Sequence, residues 1–280
     1  MIFELALGMG LAIIIIAFLS EYVDSTLGMG YGTALTPLLL IMGFEPLQVV
    51  PAVLLSELIT GLLAGFMHHS MGNVDFRPKT ISIKKIYESI KKIGIKNSFN
   101  KGLPFHLRVV LLIASCSIIG TVSAVFLAIS IPKFYLKLYI GVLILVIGIV
   151  ILVTMNRKYG FSWKKITFLG IVASFNKGMS GGGYGPVVTG GQLISGVEGK
   201  NAIGITSLAE GLTCAVGIVV FLLTKSVTNW VLAPYLIMGA VLSVPLSAIT
   251  VKKMKTDKLR WTIGIFAIIL GIITLIKLFL

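Results

Sequence analysis

The chain has 280 residues, 56% of them hydrophobic and only 12% charged, with a mean hydropathy of +1.02. Soluble domains are near half apolar and a quarter charged, so this composition excludes a water-soluble globule, a disordered chain and a coiled coil. The net charge of +14 comes from 24 Lys and Arg against 10 Asp and Glu. Most of the basic residues fall in three loops, so the charge reads as membrane topology rather than nucleic-acid binding.

In chain order, an apolar stretch over 3–43 is interrupted near its middle by glycine, and a spanning run follows at 46–69. The first segment holds Glu4, no basic n-region and no clear cleavage site, which predicts a retained helix rather than a signal peptide. The segment 71–103 carries Arg77, Lys79, Lys84, Lys85, Lys91, Lys92, Lys96 and Lys101. Within it Ile83, Ile86, Tyr87, Ile90 and Ile93 recur at helical spacing. That pattern predicts an amphipathic helix over 82–95 lying on the anionic inner leaflet, with a solvated basic loop as the alternative. Spanning runs follow at 104–130 and 134–155, and Arg157, Lys158, Lys164 and Lys165 mark the next loop. A second glycine-interrupted stretch covers 165–196, followed by runs at 201–224, 230–251 and 261–280. Lys252, Lys253, Lys255, Lys258 and Arg260 separate the last two. The apolar runs are continuous rather than alternating, which argues against a β-barrel. The fold class expected is an all-α polytopic membrane protein.

The positive-inside rule places the loops 71–103, 156–165 and 252–260 in the cytoplasm. The parity of the runs then puts both termini outside. It also makes each glycine-interrupted stretch enter and leave on one side, 3–43 from outside and 165–196 from inside.

An offset of 153 residues aligns 28–60 with 181–213 without a gap and gives twelve identities in 33 positions. Gly28/Gly181, Gly30/Gly183, Tyr31/Tyr184, Gly32/Gly185, Glu45/Glu198 and Glu57/Glu210 are among them. Since the copies begin on opposite sides, the expected architecture is two inverted-topology repeats, 1–155 and 156–280, with the basic insert 71–103 in the first. Each repeat would hold a glycine-broken helical hairpin and three spanning helices. This is a transporter signature rather than an enzyme one.

Broken backbone at membrane depth survives only where it lines a cavity or is buried in protein. After each break a short helix is expected to restart, at Thr33 and around Pro186, and its free amides would suit an anion. Close helix packing through small residues is the competing reading. The candidate binding residues are Gly28, Gly30, Tyr31 and Gly32 from the first break, and Asn176, Lys177, Ser180, Gly181, Gly182, Gly183 and Tyr184 from the second. Glu57 and Glu210 lie mid-way along their runs, where a charge costs at least about 2.5–3.5 kcal/mol and marks a functional site by default. Asp24 takes the repeat position of Lys177 with opposite sign. Asp24, Glu57 and Glu210 are therefore the candidate coupling or proton-linked groups, and Lys177 is the candidate partner for an anion. Alternatively, Lys177 is the structural counter-ion of Asp24 or Glu21.

The Gly-rich break, the run containing Pro37, the turn at Gly43, the Gly72-Asn73-Val74-Asp75 stretch and the duplication together resemble the TauE/SafE sulfite exporter family, also called TSUP. The resemblance covers the whole chain in outline and is sharpest over 20–75 and 173–213. It implies a secondary transporter of small sulfur-containing anions such as sulfite, thiosulfate or an organosulfonate, working in the cell membrane.

Two rivals remain. An anion channel would also accommodate inverted repeats. An intramembrane hydrolase could use Ser180, since Gly178-Met179-Ser180-Gly181 matches a Gly-x-Ser-Gly pattern. A Ser/His dyad needs a histidine at serine depth, but His68, His69 and His106 are expected at cytoplasmic helix ends and none follows in the second half. No Walker-type nucleotide motif is present. Cys116 and Cys214 read as small core residues. No cofactor, metal or nucleic-acid partner is expected; the partners are a small anion and the bilayer.

Overall fold

A computed structural model describes residues 7–78, 101–154, 162–194, 197, 199–224, 229–253 and 257–279, together with 80, 82, 84, 87, 88, 91, 92 and 94. Half of the residues of the expected amphipathic helix at 82–95 lie outside these, as do Gly196, Glu198 and several of the loop lysines. The described residues form helices and no strand. They are α1 (Leu7–Leu27), α2 (Tyr31–Ile41), α3 (Pro46–Ser70), α4 (Phe105–Ser130), α5 (Lys133–Thr154), α6 (Trp163–Ser180), α7 (Tyr184–Ile194), α8 (Gly199–Leu223), α9 (Leu232–Lys253) and α10 (Asp257–Phe279). Among the described residues, six helices are long and apolar enough to cross a membrane.

Local chemistry sets the ends. Helix α3 begins at a capping box: the Glu45 side chain accepts from the backbone of Gln48, whose own side chain accepts from the Glu45 backbone, and Pro46 occupies the first turn. Helix α1 stops before Gly28, and Gly30 (φ +144°) takes a conformation closed to L side chains. Helix α6 ends on left-handed Gly181 (φ +71°), whose N–H donates to the Lys177 carbonyl. The short helices restart at Tyr31 and Tyr184, two residues before Thr33 and Pro186, because both tyrosines pack wholly inside the core.

The surface carries large apolar side chains such as Leu19, Phe66, Ile119, Phe126 and Leu223, while Ser, Thr, Glu and Lys side chains are buried at the centre. That distribution suits lipid as the solvent. Helices meet where glycine lets backbones approach. Helix α1 runs parallel to α9, with Gly10 against Tyr235, Ile14 against Gly239, and the Tyr22 hydroxyl 2.8 Å from Thr250. Helix α4 runs parallel to α6 through Cys116–Gly170 and Thr121–Gly178. Helices α3 and α8 are antiparallel through Gly61–Gly211 and Leu54–Gly217, as are α5 and α10 through Gly141–Leu275 and Leu145–Gly271.

These directions gather the connections at two ends of the bundle. Glu45 pairs with Lys133 and Lys137, Lys277 donates to the Ile41 carbonyl, and Phe134 stacks edge-on with Phe279 at one end. At the other, Asn73 donates to the Ala248 carbonyl and Lys200 to the Lys252 carbonyl. A cleft of about 430 Å³ opens at this second end, lined by His69, Gly72, Val74, Asp75, Arg77, His106 and Asn201.

Candidate functional site

The crossing of α3 and α8 carries the centre of the molecule. Glu57 on α3 and Glu210 on α8 both face Lys177 on α6. Lys177 is 0% exposed, Glu57 3% and Glu210 5%. The Lys177 ammonium donates to Glu210 Oε1 at 2.6 Å and is in direct contact with Glu57 Oε2. The second oxygen, Glu57 Oε1, is buried with no hydrogen-bond partner. Cys214 Sγ lies 3.9 Å from Glu57 Oε2, and both cysteines are free and buried. One ammonium thus stands between two carboxyls from different helices.

Asp24 and Glu21 do not form this pair. Asp24 Oδ1 accepts the Tyr31 N–H at 3.2 Å and so occupies the N-terminus of α2. Glu21 accepts from Ser25 and Thr60 hydroxyls at 3.1 and 3.2 Å. Both belong to α1, and Asp24 Oδ1 and both Glu21 oxygens are held by neutral donors. The counter-ions of Lys177 are the two repeat-related glutamates instead.

The glycine segments pack against each other. A Cβ on Gly32 would overlap the Gly181 carbonyl oxygen and stand 2.9 Å from Gly182 Cα. A Cβ on Gly185 would overlap the Gly28 carbonyl oxygen and stand 2.6 Å from Met29 Cα. Gly30 and Gly183 face elsewhere, toward Val23 and toward Ile147 and Leu143. The two breaks therefore meet backbone to backbone in a seam, beside the Lys177 triad. Across it the Gly183 N–H donates to Thr33 Oγ1 at 3.1 Å, and Thr189 Oγ1 donates to the Gly28 carbonyl at 2.6 Å.

The remaining candidates surround the seam. Tyr31 and Ser56 hydroxyls are 2.7 Å apart, and Thr213 Oγ1 donates to the Tyr184 hydroxyl at 3.3 Å. Asn176 Oδ1 accepts from Tyr139 at 2.8 Å. Ser180 Oγ donates to the Asn176 carbonyl at 2.8 Å and accepts the Gly182 N–H at 3.1 Å, so its hydroxyl closes the end of α6. Those partners leave it bonded to backbone rather than to a base.

Two features escape the sequence reading. His68 lies in the last turn of α3, but it is fully buried, with Nε2 3.0 Å from the Ser25 carbonyl and Nδ1 3.1 Å from the Asn73 amide. Those partners make Nε2 the protonated nitrogen. His68 and Asn73 together tie the end of α1 to α3, α9 and the segment after α3. The second feature is a buried chain in which Gln192 Nε2 donates to Thr206 at 3.0 Å and Thr206 meets Thr189 at 2.8 Å.

Comparison with known proteins gives a family for the chain. The family described as sulfite exporter TauE/SafE matches residues 13–83 and 78–274. The chain is 27% identical over 276 residues to the probable membrane transporter protein YtnM of Bacillus subtilis (strain 168), covering 94% of this chain and 81% of that one. No solved structure matches. The chain belongs to the sulfite exporter TauE/SafE family of membrane transporters.

Proposed function

We propose that this TauE/SafE family member is a secondary transporter of small sulfur-containing anions, sulfite, thiosulfate or an organosulfonate, working by alternating access. The observation that carries the reading is the wholly buried Lys177 ammonium, set beside the seam and between Glu57 and Glu210. A buried cation costs free energy that a static scaffold avoids with apolar side chains. A carrier needs one that can change partners. In this reading Lys177 releases a carboxylate and takes the anion. Gly28, Gly30, Tyr31, Gly32, Asn176, Ser180, Gly181, Gly182, Gly183 and Tyr184 form the surrounding walls. Glu57 and Glu210 are the coupling carboxyls. Asp24 already satisfies the α2 terminus, so the anion's place is nearer Lys177 and the start of α7.

The halves 1–155 and 156–280 are the two moving units of this proposal, related as inverted repeats. Exchanging α1–α5 for α6–α10 turns the α1–α9 contact into the α6–α4 contact and leaves α3–α8 and α5–α10 unchanged, which supports that relation. Rocking of one half on the other about α3 and α8 would expose the site to each side in turn. With positive loops inside, both termini are outside. Single-cysteine labelling from outside, after replacing Cys116 and Cys214, tests the orientation. Lys91→Cys is expected to stay unlabelled by an impermeant reagent, and prompt labelling would contradict the inverted arrangement.

Transport itself is tested in proteoliposomes with labelled thiosulfate and sulfite. A carrier gives counterflow, in which unlabelled anion inside speeds entry of label. A channel gives net current without counterflow, and an intramembrane hydrolase gives neither. Counterflow is the expected result; current without it would overturn the carrier reading.

A further inference from the structure

The triad at the seam has one cation and two carboxyls, and that imbalance constrains what can accompany an anion. We propose that Glu57 and Glu210 couple transport to protons, and that together they let the number of protons match the charge on the anion. The inference rests on the transporter reading above.

With both carboxylates ionised, Lys177, Glu57 and Glu210 carry a single net negative charge in a buried site. An anion cannot take Lys177 while both carboxylates remain ionised, because the site would then hold uncompensated like charges in low dielectric. If a monoanion enters and one carboxylate gains a proton, the site keeps its single negative charge. If a dianion enters and both carboxylates are protonated, the charge is again the same. Each proton joins one of the two carboxylates that had been accepting from Lys177, and the N–H freed as that group becomes neutral turns to the anion. Glu57 Oε1, buried and without a partner, is an oxygen free to take up the first proton.

The other titratable groups around the pair do not change this count. Asp24 and Glu21 from α1 accept from the Tyr31 N–H, Ser25 and Thr60, none of them displaced when Lys177 moves. Tyr31 from α2, Tyr184 from α7 and Cys214 from α8 also face the cluster. They are two phenols and a thiol, groups that are ordinarily neutral near pH 7. A proton suits this task better than a metal ion, since it needs one carboxyl oxygen rather than a cage of them. The carrier is then an anion–proton symporter whose cycle moves no net charge.

The test uses the full chain in proteoliposomes with a pH-sensitive dye inside, and an inward gradient of thiosulfate as the dianion or methanesulfonate as the monoanion. Two protons are expected to enter with each thiosulfate and one with each methanesulfonate. Neither rate should respond to a membrane potential, nor to replacing sodium in the buffer. Glu57→Gln and Glu210→Gln, each checked for folding by size exclusion, should lower the thiosulfate ratio from two to one and make its uptake voltage-dependent. Anion entry without proton entry, or loss of entry when sodium is replaced, would overturn the coupling while leaving the carrier intact. An unchanged ratio in both folded variants would overturn the assignment to these glutamates. Absence of flux for every anion tested would instead overturn the transporter reading itself.

Discussion

Replacing Lys177 with alanine is expected to abolish anion uptake and to lower stability by about 3–5 kcal/mol, the range for removing one partner of a buried ion pair. The substitution would leave Glu57 and Glu210 facing each other at 3% and 5% exposure with no cation between them. The triple change Lys177→Met, Glu57→Gln and Glu210→Gln keeps side-chain volume and removes every charge of the triad. It should return the melting temperature to near the native value, since neutral replacements for buried ion clusters are often as stable as the original. It should not restore uptake. Thermal unfolding in detergent and vesicle flux separate the two effects. A Lys177→Ala protein as stable as the native one would mean that the ammonium is not the counter-ion that the geometry describes.

The second large effect is expected at the seam. In Gly32→Ala the new methyl group would overlap the Gly181 carbonyl, 2.6 Å from its carbon. Neither side can yield easily, because both are backbone held by the helices that flank the breaks. The cost should be about 1–3 kcal/mol or more, the range for overpacking a tight interior, and transport should fall with it. Gly190→Ala in α7 is the matched control, with nothing within 4 Å of its Cβ. There the exchange should be neutral or stabilising by up to about 1 kcal/mol, since alanine favours a helix interior. Equal losses at both positions would show that glycine in these short helices serves only flexibility.

Much of the architecture was legible in the residue order because a membrane leaves few options. Continuous apolar runs, clustered lysines and the parity they impose predict the helix directions, and the contacts of α1 with α9 and of α3 with α8 agree with them. Glu57 and Glu210 stood out because a carboxyl in an apolar run is costly and because both recur at one repeat position. Lys177 stood out by its place beside a break. Its partners did not, since alignment says which residues are equivalent and not which helices cross. Asp24, the repeat mate, turned out to serve the amide of Tyr31.

The glycines show the same division. Their positions mark where the helices break, but the face each presents depends on φ. Gly32 and Gly185 meet the opposite break, while Gly30 and Gly183 face Val23 and Ile147. The burial of His68 was not legible for a different reason. It ends an apolar run, where a histidine ordinarily meets headgroups, but the chain after α3 folds back so that Asn73 covers it. Nothing in the local pattern announces that return.

The central claim is that a small anion binds at Lys177. The most direct measurement titrates the purified native protein and the triple neutral variant with thiosulfate and methanesulfonate, following the shift of thermal unfolding with anion concentration. Ligand binding to the folded state raises that temperature by mass action. The account predicts a concentration-dependent rise for the native protein and a flat response for the folded variant. An equal rise in both would place the anion elsewhere and contradict the account.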